Sequence, residues 1–166
     1  MKIVVIAGGQ GTRIASVNAD IPKAMIPIDG KPILEYQILM AKRYGFTDFL
    51  FIIGYLGNQI REYFGDGAKW GVTIEYFQET QPLGTAGALG YLKDKLTEEF
   101  FVFYGDTVMD FDMIHMLDFH HRKHADATLL VHPNDHPYDS DIVDVDKDGK
   151  VKNFFIKPHP DCFISH

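Results

Sequence analysis

Apolar and polar residues follow one another along this chain in two rhythms, which predict alternating strands and helices. Short apolar runs predict strands at residues 2–7, 49–53, 72–77, 100–104 and 127–132. Apolar residues at three- and four-residue spacing predict helices from Pro32 to near Gly45, and at residues 56–64, 84–96 and 113–124. Two more short strands, 142–145 and 151–155, flank Asp148-Gly149, a dipeptide typical of hairpin turns.

This order of elements predicts an α/β fold. Strand–helix–strand units repeated along a chain favour a mostly parallel sheet with helices on both faces. In such sheets, ligands bind beyond the carboxyl ends of the strands. The loops after Ala7 and Tyr104 each follow a predicted strand, so a functional site is expected there.

Length and composition narrow the class of protein. The 166 residues suit one domain, 1–166, and a formal net charge of −7 disfavours a nucleic-acid partner. Cys162 is the only cysteine, which suits a reducing compartment. No apolar run is long enough to span a membrane, and the amino terminus does not have the pattern of a signal peptide. We therefore expect a cytoplasmic protein with neither a membrane nor a nucleic-acid partner.

The first predicted loop carries the residues of a polyphosphate site. It consists of Gly8-Gly9-Gln10-Gly11-Thr12-Arg13 and is followed by Pro22-Lys23. Glycine lets the backbone approach phosphate oxygens and turn its N–H groups toward them. Arg13 and Lys23 add the positive charge that such a ligand requires. The backbone from Ala7 to Thr12 is therefore a candidate cradle for a triphosphate.

Two widespread phosphate-binding motifs do not match this loop. A Walker A loop ends in Gly-Lys-Ser or Gly-Lys-Thr at a fixed spacing, and the chain has no such string. A dinucleotide fingerprint needs a third glycine where Ile14 stands, and an acidic residue where the second strand ends in Ile53-Gly54-Tyr55. An NAD-binding oxidoreductase is therefore disfavoured. A glycine turn with incidental cations stays open as the interpretation without a function.

The loop resembles the opening signature of the sugar nucleotidyltransferases. The resemblance rests on residues 8–13, on Pro22-Lys23, and on Met25 and Pro27 beyond them. It implies the nucleotide-diphospho-sugar transferase fold, a three-layer, Rossmann-like sandwich with a mostly parallel mixed sheet. It also implies that Arg13 stabilises the charge on a leaving pyrophosphate, and that Lys23 bridges toward the α-phosphate or the attacking group.

A second motif, Gly105-Asp106-Thr107, follows the predicted strand 100–104. A carboxylate just past a buried parallel strand is well placed to hold Mg²⁺. Asp106 resembles the metal-binding aspartate of the family, so Mg²⁺ is the expected cofactor. A turn residue or a helix cap is the alternative interpretation.

Two later segments resemble the parts of the family that contact base and sugar. The resemblance places Gly84 and Thr85 beside the nucleotide, and Gln78 and Gln81 are both able to bond a base edge. In Phe155-Ile156-Lys157-Pro158, Lys157 matches the lysine that grips the sugar phosphate, whereas Ile156 replaces a common glutamate. Helix packing and a strand-end turn are the alternative interpretations of these segments.

The activity implied by the resemblance is nucleotidyl transfer from a nucleoside triphosphate to a sugar 1-phosphate, with release of pyrophosphate. Residues 132–141 and Ala7-Gly8-Gly9 are most similar to the mannose or heptose 1-phosphate guanylyltransferases, which favours GTP. A glucose-1-phosphate thymidylyl- or uridylyltransferase, or a non-catalytic module that binds nucleotide or sugar phosphate, is the alternative.

The chain stops before the later strand and the second metal-binding aspartate of the family. It therefore resembles a domain that is incomplete at its carboxyl end. A homo-oligomer or a fused carboxyl-terminal domain is the expected macromolecular partner.

Overall fold

The computed structural model describes residues 1–9, 20–81, 83–133 and 140–158. The chain divides into two compact units, Met1–Ile114 and His115–His166. That residues 1–166 form one nucleotidyltransferase domain stays a prediction.

A four-stranded parallel sheet forms the centre of the first unit. Its strands are β1 (Lys2–Ala7), β4 (Asp48–Ile53), β5 (Thr73–Gln78) and β6 (Phe100–Tyr104), in the spatial order β5-β4-β1-β6. Between β1 and β4 in sequence, the short strands β2 (Pro27–Ile28) and β3 (Lys31–Pro32) form a separate antiparallel pair.

The two central strands are buried on both faces, which explains their nearly continuous apolar sequences. In β1, Ile3, Val4 and Val5 are fully buried, and in β4 every residue from Phe49 to Ile53 is fully buried. Val4 lies beside Leu50 on one side and Val102 on the other. The sheet is therefore the core of this unit.

Helices cover both faces of the sheet. Two of them, α1 (Ile33–Arg43) and α2 (Gly57–Phe64), connect neighbouring parallel strands on the same side of β1, so right-handed crossovers place them on one face. There the ring of Phe51 meets that of Phe64 edge to face, with 5.9 Å between centroids. On the other face, Val4, Leu50 and Ile52 pack against Ala88 of α3 (Gly84–Tyr91). The predicted α/β class is confirmed.

Helix α3 is shorter than the predicted helix 84–96. It ends at Tyr91, and the N–H groups of Leu92, Lys95 and Leu96 continue the chain in turns. Glycine lowers helix stability, and Gly84, Gly87 and Gly90 stand in this one helix. The apolar pattern of residues 92–96 therefore belongs to turns that pack on the core.

The second unit contains the predicted hairpin. Strands β7 (Ile142–Val145) and β8 (Val151–Phe155) pair antiparallel, and α4 (Met113–Lys123) precedes them in the chain. The carboxylate of Asp146 accepts hydrogen bonds from the N–H groups of Asp148 and Lys150, each at 2.9 Å. Gly149 has φ +79°, a conformation that glycine adopts without strain. The turn chemistry that the sequence predicts is confirmed.

The prediction of a strand at residues 127–132 is wrong. Among the described residues, no strand pairs with this segment, and Leu129, Leu130 and Val131 are about half exposed. An apolar run becomes a strand only where a neighbouring strand bonds its backbone N–H and C=O groups. The periodicity indicates that this segment suits a sheet, but it supplies no partner.

Candidate nucleotide-binding site

The carboxyl ends of all four strands of the sheet meet at one edge, because the strands are parallel. Gly8 and Gly9 follow β1, Gly54 follows β4, Glu79 follows β5, and Gly105-Asp106 follows β6. The chain proceeds from β1 to β4 and β5 on one side and returns to β6 on the other. Ligands of open α/β sheets bind where the strand order reverses in this way. In this sheet, that place lies between Gly8 and Gly105.

The first two loops of this edge approach each other closely. A Cβ added to Gly54 would lie 2.5 Å from the carbonyl oxygen of Gly8 and 3.0 Å from its Cα. A Cβ added to Gly8 would collide with the carboxylate of Glu79. Because both positions are glycine, the backbone of Gly54 and the carboxylate of Glu79 can both lie against Gly8.

Asp106 occupies a turn beside the end of β1. The turn comprises residues 104–107, with the Thr107 N–H donating to the carbonyl of Tyr104 at 3.1 Å. The Gly105 N–H donates to the carbonyl of Ile6 at 2.9 Å, and a Cβ on Gly105 would lie 3.0 Å from that of Ala7. The structure thus brings the metal candidate to the end of β1, from which the first loop departs.

Lys23 reaches the same turn from a short 3₁₀ helix, Lys23–Met25. Its ammonium lies 3.8 Å from Oδ2 of Asp106. The two side chains are 25% and 47% exposed, so both groups are accessible to a ligand. An exposed ion pair of this kind stabilises a fold by only about 0–1 kcal/mol. The predicted cation and the predicted metal ligand are therefore neighbours, within reach of one polyphosphate.

One buried side chain that the sequence reasoning missed also contacts this turn. The amide nitrogen of Gln37, in α1, donates to the carbonyls of Tyr104 at 2.7 Å and Thr107 at 2.6 Å. The available signal was a polar residue on the apolar face of a helix, next to Ile38. Glu79 was missed as well, because nothing in its neighbours predicts that its carboxylate lies against Gly8.

The donor set at the edge suits a magnesium ion that arrives with a nucleotide. Across residues 1–9, 20–81, 83–133 and 140–158, no three or more His, Cys, Asp or Glu side chains form a group that could hold a metal. Mg²⁺ commonly binds through one or two carboxylates and the phosphates of its substrate. The single carboxylate of Asp106 is therefore sufficient for such an ion. The described residues form no metal site made of protein ligands only.

The remaining predicted residues have different outcomes. Gln78 donates its amide to the carbonyl of Gly54 at 3.2 Å, and Gln81 is exposed. Gly84 has φ +73° at the first residue of α3, where Thr85 follows it. The positive φ supplies a backbone reason for glycine at position 84, independent of any ligand.

The remaining members of the predicted site are Lys157 and residues 11–13. Lys157 belongs to the second unit, where its backbone N–H donates to the carboxylate of Asp141 at 3.1 Å. Gly11, Thr12 and Arg13 lie outside the described residues. Their roles, and that of Lys157, stay predictions.

None of the described helices is both long enough and apolar enough to cross a membrane.

Known protein sequences that are similar to this chain indicate its family. The nucleotidyl transferase family matches residues 2–162. The chain is 32% identical over 160 residues to the low-salt glycan biosynthesis nucleotidyltransferase Agl11 of Haloferax volcanii. It is 32% identical over 164 residues to mannose-1-phosphate guanylyltransferase 1 of Arabidopsis thaliana, and 31% over 172 residues to UTP–glucose-1-phosphate uridylyltransferase of Synechocystis sp.. These matches cover 95% of the chain but only 44–45% of each relative.

Solved structures show the same fold. A Bacillus anthracis protein assigned as a glucose-1-phosphate thymidylyltransferase, in complex with a sucrose, superimposes with a TM-score of 0.85 at 23% identity, covering 95% of this chain and 65% of that one. HddC from Yersinia pseudotuberculosis, complexed with GMP-PN, superimposes with a TM-score of 0.76 at 27% identity, covering 94% and 69%. These neighbours confirm the Rossmann-like fold that the sequence predicts. The chain, matched over nearly its whole length, belongs to the nucleotidyl transferase family.

Proposed function

We propose that this chain carries the nucleotide-binding part of an enzyme that transfers a nucleotidyl group from a nucleoside triphosphate to a sugar 1-phosphate. The observation that carries the proposal is the 3.8 Å approach of Lys23 to Asp106 at the edge where the strand order reverses. The family match and the activities named for the relatives support it. Because the chain spans about 45% of those relatives, the activity of the whole protein is part of the proposal.

The reaction requires positioning more than proton transfer. A phosphate oxygen of the sugar phosphate attacks the α-phosphorus, and the bond from that phosphorus to the oxygen bridging to the β-phosphorus breaks. The electron pair leaves with pyrophosphate. Since the attacking phosphate is already an anion, no general base is needed. The barrier falls through alignment of the reactants and neutralisation of their negative charges.

Each proposed role follows from that requirement. The N–H groups of the loop from Gly8 to Thr12 bind the β- and γ-phosphates, and Arg13 stabilises the departing pyrophosphate. Lys23 neutralises charge at the α-phosphate or on the attacking group. Asp106 holds Mg²⁺, which when bound neutralises phosphate charge. Lys157 binds the sugar phosphate.

We propose guanine as the base of the nucleotide. The Watson–Crick edge of guanine offers two adjacent donors, the N1–H and the N2 amino group, whereas uracil and thymine offer one. An ionised carboxylate only accepts hydrogen bonds and has two oxygens to do so. In this proposal the base lies at the start of the loop, where Glu79 places such a carboxylate against Gly8, and the β- and γ-phosphates lie at the later residues of the loop, while the Gln78 amide is engaged with Gly54. The guanylyltransferase among the relatives and the GMP-PN bound to HddC support the same choice.

A mannose- or heptose-type sugar 1-phosphate is the proposed acceptor. The uridylyltransferase among the relatives favours the alternative, a glucose 1-phosphate enzyme that uses UTP or dTTP. A location in the cytoplasm agrees with the single cysteine, Cys162. A homo-oligomer or a fused carboxyl-terminal domain is the proposed macromolecular partner.

The proposal is tested by measuring pyrophosphate release with GTP, UTP and dTTP, each combined with mannose 1-phosphate or glucose 1-phosphate and Mg²⁺. We expect release only when both substrates are present, and fastest with GTP and mannose 1-phosphate. Nucleotide binding without release from any pair would favour the non-catalytic module. The absence of both nucleotide binding and pyrophosphate release would contradict the proposal.

The base preference has its own test. Glu79→Gln replaces one acceptor oxygen with a donor amide, so we expect the ratio of GTP to UTP affinity to fall about tenfold. Glu98→Gln, the same change at an exposed residue, should leave the ratio unchanged. An unaltered ratio in a folded Glu79→Gln variant would remove Glu79 from base recognition.

A further inference from the structure

Gln37 is a buried polar side chain in a helix whose neighbouring inward residues are apolar. Its side chain is 1% exposed, and among the described residues no other polar or charged side chain is so completely buried. Burying an amide is costly unless it is hydrogen-bonded. The hydrogen bonds of Gln37 must therefore account for a polar residue at this buried position.

The Gln37 amide bridges the two ends of a single turn. Its Nε2 donates to the carbonyl of Tyr104, the first residue of the turn, and to the carbonyl of Thr107, the last. A side-chain amide nitrogen carries two hydrogens, and carbonyl oxygens can only accept, so these partners fix which way the amide faces. Within the part of the chain that the structure describes, no group hydrogen-bonds Oε1. The donor half of the amide is thus fully used by the turn.

The third residue of this turn is Asp106. The Gly105 N–H ties the turn to β1 through the carbonyl of Ile6, and the Thr107 N–H closes it through the carbonyl of Tyr104. Gln37 adds a tie to α1 on top of these two backbone bonds. A side chain that bonds both ends of a four-residue turn restricts the backbone of the two residues between them, here Gly105 and Asp106.

We infer that Gln37 is a positioning residue, which holds the turn so that Asp106 is in place for the divalent cation that accompanies the nucleotide. The inference rests on the proposed function, because it takes Asp106 as the metal ligand. Gln37 itself touches neither the cation nor the nucleotide in this account. It acts through the two carbonyls that it bonds.

The competing explanation is that Gln37 only stabilises the fold. Loss of the amide would then lower stability and weaken every function of the site alike. A positioning role makes a more specific prediction. The effect of losing Gln37 must depend on the presence of the Asp106 carboxylate. Residues in one hydrogen-bond network show such non-additive effects, whereas independent residues do not.

The test is a double-mutant cycle on the whole chain. The dissociation constant of GTP is measured calorimetrically with Mn²⁺, as the probe cation, in the wild type, Gln37→Leu, Asp106→Asn and the double variant. We expect Gln37→Leu to weaken binding about tenfold in the wild-type background, and less than about twofold in the Asp106→Asn background. Gln37→Met is the second variant should leucine prevent folding. Ile38→Val, a buried change on the same helix, is the control and should leave binding unaltered.

Two results would overturn the inference. One is unchanged binding in a folded Gln37→Leu variant. The other is a loss of the same size with and without the Asp106 carboxylate, which would make Gln37 a stabilising residue only.

Failure of the proposed function gives a different pattern. In that case, Mn²⁺ does not alter GTP binding even in the wild type. This result excludes the metal-directed role of Gln37 together with the proposed function. Hydrogen exchange of the Thr107 amide, measured without ligand, then identifies the source of the failure. Faster exchange in Gln37→Leu than in Ile38→Val shows that the turn is held as described and that the metal assignment is wrong. Equal exchange shows that Gln37 does not hold the turn.

Discussion

At the scale of single residues, motif spacing predicts which side chains matter, but only the fold shows what they touch. Lys23 and Asp106 were both predicted, and the structure places their charged groups 3.8 Å apart. Glu79 and Gln37 were not predicted, because their partners, Gly8 and the residues of the Asp106 turn, are far away in sequence. Such contacts arise from the order of strands in the sheet, which a short motif does not encode.

Lys23→Met is expected to lower pyrophosphate release by about 100-fold or more, as does the loss of a donor that neutralises transition-state charge. The change removes one cation that is held beside Asp106. Lys31→Met is the matched control, because Lys31 is half exposed and pairs only loosely with Glu35 at 4.0 Å. Equal rates for Lys23→Met and wild type, with both proteins folded, would exclude Lys23 from the reaction.

At the scale of elements, the sequence predicts the strands and helices whose apolar pattern is long, and the hairpin whose turn residues are characteristic. Strand β1, strand β6 and the β7–β8 hairpin have the predicted bounds. The failures have physical causes, since residues 127–132 lack a pairing strand and α3 is weakened by its glycines. The close approach of the loops at Gly8 and Gly54 was also beyond the sequence. It depends on the register between two parallel strands.

Gly54→Ala and Gly90→Ala are expected to change stability in opposite directions. The added Cβ at position 54 would lie 2.5 Å from the backbone oxygen of Gly8, so the strand ends must move apart, at a cost of about 1–3 kcal/mol. At Gly90 nothing lies within 4 Å of the added Cβ, and alanine favours the helix by about 1 kcal/mol.

The free energy of unfolding in urea checks this pair. A stable Gly54→Ala protein with unaltered nucleotide affinity would contradict the described packing of the two loops. Destabilisation by Gly90→Ala would contradict the open surroundings of that residue.

At the scale of the whole molecule, charges at the amino-terminal edge of the sheet tie distant parts of the chain together. The Lys2 ammonium contacts Asp48 at 2.9 Å and Glu75 at 3.0 Å, and Glu75 also contacts Lys95 at 3.1 Å. Hydrogen bonds from Lys2 and Lys95 lower the pKa of Glu75, against the smaller opposing effect of burial. Burial alone would lower the pKa of Lys2, but its bonds to Asp48 and Glu75 outweigh that effect and raise it.

Stability should therefore fall in acid partly through Glu75. Because its pKa is lower in the folded chain than the ordinary value of 4.5, its contribution is complete above that pH and is lost as pH falls through the folded pKa. Glu75 is about half exposed, so the effect is below about 1 kcal/mol. Glu75→Gln should lower the melting temperature at pH 7 and cost progressively less below pH 4.5.

Melting curves between neutral and acid pH check this prediction, with Glu98→Gln as the control for an exposed glutamate. A Glu75→Gln deficit that is independent of pH would show that the ion pairs are not its cause.

The central claim is that the carboxyl edge of the sheet binds a nucleoside triphosphate between the first loop and the Asp106 turn. Calorimetric titration of the wild-type chain and Lys23→Met with GTP and Mg²⁺ tests it most directly. We predict saturable binding of one GTP per chain by the wild type, weakened at least about tenfold by Lys23→Met, as expected for loss of a charge-assisted phosphate contact. Absence of binding, or equal affinity of the two proteins, would contradict the account.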